Sequence, residues 1–165
     1  MKKLLFVLLS VVISCSAFAQ VKITKVDKVQ PNDEIFMEMA VTAAQKAIAD
    51  GLKPAGAVVV LNGAWRSTGL PVEGTTPEEN AIAKSRRTKL GGATIYTINQ
   101  PTTAALNAIM LSGADGVIFV NPASAVIAAG LYNEADYAEG EPVEAAPGFF
   151  VVQMDYAPAK ALLKK

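Results

Sequence analysis

The chain has 165 residues, 52% of them hydrophobic, and its 15 basic residues balance its 15 acidic residues. This length suits one domain with a single buried core, and no basic stripe with interleaved aromatic residues points to nucleic acid as a partner. Histidine does not occur and cysteine occurs once, which excludes an intramolecular disulfide and leaves little for metal binding or thiol chemistry.

The start of the chain has the pattern of a secretory leader. Lys2 and Lys3 provide positive charge, residues 4–13 form an apolar run, and residues 17–19, Ala-Phe-Ala, resemble a signal-peptidase cleavage site. The apolar run is too short for a membrane-spanning helix. The pattern therefore predicts a signal peptide over 1–19 and a mature protein that is periplasmic or secreted by a bacterium.

The sequence Val-Ile-Ser-Cys ending at Cys15 allows a second interpretation of the leader. It fits a lipoprotein signal, in which a lipid anchor on Cys15 would hold the mature protein at a membrane. The Ala-Phe-Ala site favours soluble export instead. Cleavage at that site removes the only cysteine, so the mature chain would contain neither of the two commonest zinc-binding residue types.

The first elements of the mature chain are an arm and a helix. Residues 20–32 are predicted to form an N-terminal arm, and one domain is predicted over 33–165. Apolar residues recur at helical spacing from Pro31 onward, and Gly51 supplies the C-terminal stop. The sequence therefore predicts a long first helix between these two residues.

A β-hairpin and an alternation of helices and strands follow. Residues 55–61 form an apolar run that predicts a buried strand, and Asn62-Gly63 predicts a tight turn into an antiparallel strand at 64–68. In chain order, the remaining pattern predicts a helix at 76–89, a strand at 94–98, a helix at 101–111, a strand at 116–120, a short helix at 121–130, a strand at 149–154 and a helix from 158 onward. This order indicates an α/β fold with a five-stranded mixed sheet, an antiparallel N-terminal hairpin and helices on both faces.

The connection from Tyr132 to Pro147 is long and acidic. Its carboxylates are Glu134, Asp136, Glu139, Glu141 and Glu144. Calcium binding outside the cell is one interpretation, although the spacing matches no known calcium loop. A solvated surface loop is the favoured interpretation of such a charge run.

Three stretches carry a family resemblance. Residues 54–60 read Pro-Ala-Gly-Ala-Val-Val-Val, residues 76–82 read Thr-Pro-Glu-Glu-Asn-Ala-Ile, and residues 100–105 read Gln-Pro-Thr-Thr-Ala-Ala. They resemble the Pro-Phe-Gly-Ala-Val strand, the His-Ala-Glu-x-Asn-Ala-Ile helix start and the Glu-Pro-Cys-Pro-Met-Cys motif of the cytidine and nucleoside deaminase superfamily, especially its guanine and tRNA-adenosine deaminase branch. The resemblance spans roughly 36–136 and implies a three-layer α/β/α cytidine-deaminase-like fold.

The resemblance also implies positions for the zinc chemistry of that superfamily. There, a histidine and two cysteines bind zinc, and a glutamate shuttles the proton of the attacking water. Carried over, the catalytic glutamate is Glu78, while Thr76 stands at the histidine position and Thr102 and Ala105 at the cysteine positions. Because a threonine hydroxyl is a poor zinc ligand and alanine offers none, we expect a degenerate member without a metal or other cofactor.

The same positions suggest a ligand pocket where two helix starts converge. The residues expected to line it are Thr76, Asn99, Thr102, Thr103 and Ala105. Helix N-termini can form a concavity for polar ligands. A structural interpretation stays open, because Thr76 and Thr102 are also good helix caps and Glu78 would be stabilised in a first turn without any catalytic role.

Three functional hypotheses follow. We expect an exported, catalytically inactive deaminase-like domain that binds a small nucleobase-like or nucleoside-like ligand or a protein partner. An alternative is an enzyme of zinc-independent chemistry in which Glu78 acts as the base. Another is a structural envelope protein that forms homodimers or larger oligomers through its alanine-rich helices.

Overall fold

The computed structural model describes residues 22–26, 30–138 and 145–164. The predicted leader with Cys15 lies outside these residues, as do three of the five carboxylates of the acidic connection. Within the described residues, no helix is both long enough and apolar enough to cross a membrane.

One mixed sheet forms the centre of the described domain. Its six strands are β1 (Ile23–Val26), β2 (Ala57–Leu61), β3 (Ala64–Gly69), β4 (Ala93–Asn99), β5 (Gly116–Asn121) and β6 (Phe150–Met154). They lie in the order β1-β6-β5-β4-β2-β3, with β2 antiparallel to both of its neighbours and the other pairs parallel. The predicted mixed sheet and its antiparallel hairpin are confirmed.

Five α-helices connect and cover the strands among the described residues. They are α1 (Pro31–Ala49), α2 (Pro77–Lys84), α3 (Thr103–Ser112), α4 (Ala123–Ala128) and α5 (Ala157–Ala161), and short 3-10 turns occupy Glu134–Tyr137 and Leu162–Lys164. One buried apolar cluster contains residues of α1 and α5, and the other contains residues of α2 and α3 on the opposite face of the sheet. The expected three layers are therefore present.

The predicted strand count was one too low, because part of the N-terminal arm joins the sheet. β1 pairs in parallel with β6, from Ile23 opposite Val151 to Val26 opposite Met154. The first three residues of β1 are exposed and the fourth is half-buried. Only Val26 of this strand packs against the core, and a strand that buries so little apolar surface leaves only a weak alternation in the sequence.

Helix α2 ends five residues before the predicted Lys89. Arg86 has φ 55°, in the left-handed region that interrupts a helix. Leu90 is 1% exposed in the core beneath α2, and its N–H donates to the Ser112 carbonyl at 2.9 Å. The chain leaves the helix early because burying Leu90 requires a different path from a continued helix.

Close contacts on β3 fix the position of α2. A Cβ on Gly69 would overlap the Pro77 carbonyl oxygen and the backbone of Ala81, so only glycine allows this approach. The buried Ser67 hydroxyl donates to the Ala81 carbonyl at 2.7 Å. These contacts place the start of α2 beside the end of β3.

The carboxyl ends of the parallel strands share one edge of the sheet. Asn99 at the end of β4 lies opposite Asn121 at the end of β5, and Ala57 at the start of β2 pairs with Thr97. Helix α3 begins shortly after β4 ends, and α2 begins near the end of β3. Both helix starts that the sequence singled out therefore belong to this edge, which we call the carboxyl edge.

Candidate functional site

Glu78, the second residue of α2, points into the protein. Its side chain is 3% exposed, and its Oε1 accepts a hydrogen bond of 2.6 Å from the Thr97 hydroxyl. Thr97 is itself 1% exposed and lies on β4, on the same face as the core residue Ile95. The structure thus places the candidate catalytic carboxyl between α2 and the end of a central strand.

The surroundings of Glu78 favour its neutral form. Burial raises the pKa of this carboxyl above the ordinary glutamate value of 4.5, because a low-dielectric environment penalises the charged form. The negative charge of Glu79 adds to the increase, while the hydrogen bond from Thr97 opposes it. A carboxyl with an upward-shifted pKa in the interior is a common feature of functional sites, although structural networks also produce it.

Thr76 is the N-cap of α2. Its hydroxyl accepts from the Glu79 N–H at 3.3 Å and donates to the Glu79 carboxylate at 2.9 Å, and the same carboxylate accepts from the Thr76 N–H at 2.8 Å. These bonds form the capping box that the sequence predicted. The Thr76 hydroxyl is therefore committed to its own helix.

Thr102 and Ala105 have equivalent structural roles at α3. Thr102 is the N-cap, and its hydroxyl accepts from the Ala105 N–H at 3.2 Å. Both side chains are buried. The two cysteine positions implied by the resemblance are thus filled by a cap and a packed methyl group.

The other two predicted pocket residues make contacts of their own at the carboxyl edge. Asn99 donates to the Pro54 carbonyl at 3.0 Å and accepts from the Asn121 amide at 3.1 Å, so it links the end of β4 to the loop before β2 and to the end of β5. Thr103 donates to the Ala138 carbonyl at 2.8 Å. Both residues therefore link neighbouring segments at the carboxyl edge.

The residues at the metal positions do not fit zinc. The resemblance implies two neutral hydroxyls and a methyl group at the positions of an imidazole and two thiolates, and both hydroxyls serve as helix caps. Zinc prefers nitrogen, thiolate or carboxylate ligands. In the part of the chain that the structure describes, no three residues of the types His, Cys, Asp and Glu form a metal-binding group.

Two tyrosines that the sequence interpretation missed lie near the carboxyl edge, where Tyr137 donates to the Gln100 carbonyl at 3.2 Å. Tyr132 and Tyr137 pack edge to face with ring centroids 6.3 Å apart. Burial raises the pKa of Tyr132 to about 12, with the Glu78 charge as the next cause; burial is also the main cause of the raised pKa of Tyr137, followed by the charges of Tyr132 and Glu78. Their five-residue spacing inside an acidic run was the available signal, and it was masked by the surrounding charge.

Thr97 was also missed. It occupies an inward position of β4, where the strand pattern around it is apolar. A polar residue at such a position requires a hydrogen-bond partner, and that partner is Glu78. The position of Thr97 within an apolar strand was therefore the sequence signal that it needs a buried hydrogen-bond partner.

The calcium interpretation of the acidic connection stays a prediction. Asp136 accepts from the Asn133 N–H at 2.8 Å, and the Asn133 amide oxygen accepts from the Asp136 N–H at 3.2 Å. These bonds cap the short 3-10 turn. Glu139, Glu141 and Glu144 lie outside the described residues.

The comparison with known proteins gives structural matches only. No protein family model and no curated protein matches the sequence. A guanine deaminase from Bacillus subtilis is 26% identical with a TM-score of 0.60, and the match covers 73% of this chain and 85% of that chain. A protein named NE0047, solved in complex with 8-azaguanine, is 18% identical with a TM-score of 0.67 over 80% and 82% of the two chains.

A deaminase that performs A-to-I editing at the wobble position of transfer RNA is 22% identical, with a TM-score of 0.57 over 73% of this chain and 97% of that one. These proteins share the sheet and the helix arrangement that the three sequence motifs predicted. The chain therefore has the fold of the cytidine deaminase-like superfamily.

Proposed function

We propose that this chain is an exported, zinc-independent deaminase-like domain that binds a small planar ligand instead of deaminating it. The observation that carries the proposal is the role of the residues at the metal positions that the resemblance implies. The Thr76 and Thr102 hydroxyls cap their helices, Ala105 is packed, and Glu78 alone keeps the chemistry of the superfamily motif.

The ligand class follows from the properties of Glu78. Because burial raises its pKa, a larger share of this side chain is the neutral acid at a given pH. A neutral carboxyl donates one hydrogen bond and accepts others. This pattern is complementary to the adjacent N–H and ring nitrogen on the edge of a purine base. The complexes of NE0047 with 8-azaguanine and with 2,6-diaminopurine support the same ligand class by analogy of fold.

Binding and metal content test this proposal together. The purified mature chain is expected to contain no stoichiometric zinc, to release no ammonia from guanine, and to bind 2,6-diaminopurine or 8-azaguanine in a calorimetric titration. Glu78→Gln should weaken binding at least tenfold, as expected for the loss of a buried hydrogen bond that involves an ionisable group. Glu73→Gln, the same change at an exposed carboxylate, is the matched control.

One zinc ion per chain together with ammonia release would overturn the proposal. Tight binding that Glu78→Gln leaves unchanged would remove Glu78 from the site. Export is tested separately by N-terminal sequencing of protein recovered from the cell envelope. A mature N-terminus at Gln20 supports soluble export, whereas a lipid-modified Cys15 supports the anchored form.

A second candidate function is catalysis without zinc. The upward shift of the Glu78 pKa favours it, because a general base is most effective when its pKa lies near the working pH. Thr97 would hold the carboxyl in place through its 2.6 Å hydrogen bond. A hydrolase screen with purine and pyrimidine derivatives tests this function, and turnover that survives Glu78→Gln contradicts it.

A further inference from the structure

The segment from Leu131 to Ala138, here called the strap, is held to the carboxyl edge at separate points along its length. At its start, the Lys53 ammonium donates to the Leu131 carbonyl at 2.6 Å and lies 4.9 Å from the centre of the Tyr132 ring. At its end, Tyr137 donates to the Gln100 carbonyl at 3.2 Å. The Thr103 hydroxyl provides the last contact, to the Ala138 carbonyl.

These attachment points lie on both sides of the Glu78 site. Lys53 precedes Pro54, whose carbonyl is bonded to the end of β4, and Thr103 is the first residue of α3. Gln100, which accepts from Tyr137, directly follows β4, and Thr97 on that strand donates to Glu78 at 2.6 Å. The strap therefore runs across the carboxyl edge close to the buried carboxyl.

The strap is fastened by polar contacts, and its two tyrosines are only half-buried. None of the residues of its 3-10 turn is buried, and the contact of Lys53 is exposed. Segments with few buried apolar contacts open locally at a much lower free energy than the core. Loss of a single attachment is therefore expected to change how often the strap opens.

We infer that Lys53 is a positioning residue of the site: it fastens the strap so that Tyr132 and Tyr137 form one wall around Glu78, and a ligand enters when that contact is released. Lys53 joins the strap through two contacts, a hydrogen bond to a carbonyl and a cation–π contact. The enclosure of Glu78 by the strap does not depend on a ligand, whereas the role of the strap in ligand entry rests on the function proposed above.

The test uses Lys53→Met and Thr103→Val, each of which removes one attachment at little cost in shape. Lys84→Met is the matched control, because Lys84 is also exposed and donates to a backbone carbonyl, that of Thr68. Hydrogen exchange of the strap is measured by mass spectrometry, and the ionisation of Glu78 is followed by carbon NMR of its carboxyl group. Lys53→Arg keeps both the charge and a donor and serves as the rescue variant.

Strap amides should exchange about fivefold faster when one hydrogen bond is lost, and faster still in Lys53→Met. In the same variants the pKa of Glu78 should move back toward the ordinary glutamate value, because water reaches the carboxyl more often. Lys84→Met should change neither measurement, and Lys53→Arg should restore both. The association rate of 2,6-diaminopurine should increase about fivefold with strap opening.

Faster exchange with an unchanged Glu78 titration would show that the strap is not a wall of the site. Unchanged exchange in both variants would show that these contacts do not hold it. An unchanged association rate with an open strap would overturn the role in ligand entry. If no variant and no wild-type protein binds 2,6-diaminopurine, the proposed function fails, while exchange and titration still decide the enclosure.

Discussion

Replacing Glu78 with glutamine is expected to change how the stability of the protein depends on pH. The side chain is 3% exposed, and its pKa in the folded state is raised, with burial as the main cause. In the unfolded chain the same carboxyl has its ordinary pKa of about 4.5. The substitution keeps the size of the side chain and an oxygen that can accept from Thr97, but removes its ionisation.

The sign follows from proton binding. Below the ordinary pKa, Glu78 is protonated in both states and its ionisation does not affect the free energy of unfolding. Between the ordinary and the raised pKa, the unfolded chain releases the proton first and binds fewer protons than the folded state. The free energy of unfolding therefore decreases by about 1.4 kcal/mol per pH unit across this window and stays at the lower value above it.

Urea denaturation of both proteins between pH 4 and pH 9 measures this effect. The free energy of unfolding of Glu78→Gln minus that of the wild type should increase from about pH 4.5 upward and level off at the raised pKa. Glu73→Gln, at an exposed carboxylate, should differ from the wild type by about 0.5 kcal/mol or less throughout. A difference for Glu78→Gln that is constant, or that decreases with pH, would contradict the conclusion that burial destabilises the charged form of Glu78.

Three further substitutions test the packing around the site. Thr97→Val removes the hydrogen bond to the buried carboxyl and should cost about 1–3 kcal/mol in the free energy of unfolding. The same change at Thr94 on this strand should cost less. Equal costs would contradict a stabilising hydrogen bond between Thr97 and Glu78. Gly69→Ala should lower the stability measured by thermal unfolding several times more than Gly91→Ala. A Cβ at position 69 overlaps the backbone of α2, whereas a Cβ at position 91 meets open space. A tolerated Gly69→Ala would show that α2 can shift. Thr76→Ala should cost about 1 kcal/mol in the free energy of unfolding through loss of the N-cap, and an unchanged free energy of unfolding would contradict this role.

Local signals in the sequence correctly predicted most of the elements. The Asn62-Gly63 turn has φ values of 51° and 74°, as the tight hairpin requires. The capping box at Thr76 is present because its bonds join residues three positions apart. Such features depend on neighbours in the chain, so the residue types alone determine them.

Features that depend on distant contacts were predicted less well. β1 lacked a clear alternation because it is an exposed edge strand, and α2 was predicted too long because the burial of Leu90 redirects the chain. At the site, Thr97 was missed, since it reaches Glu78 from a position 19 residues away along the chain. Propensity and periodicity carry no information about such pairs.

The sequence by itself determined which chemical groups the side chains of this protein can offer. With no histidine and a single cysteine at position 15, the metal positions that the resemblance implies carry hydroxyls and a methyl group, whatever their arrangement. Only the tertiary structure decided that the hydroxyls cap helices and that Glu78 is buried against Thr97 near two tyrosines. The physical reason is that residue identity sets the chemistry of each group, whereas its pKa and its access to solvent depend on neighbours brought together by folding.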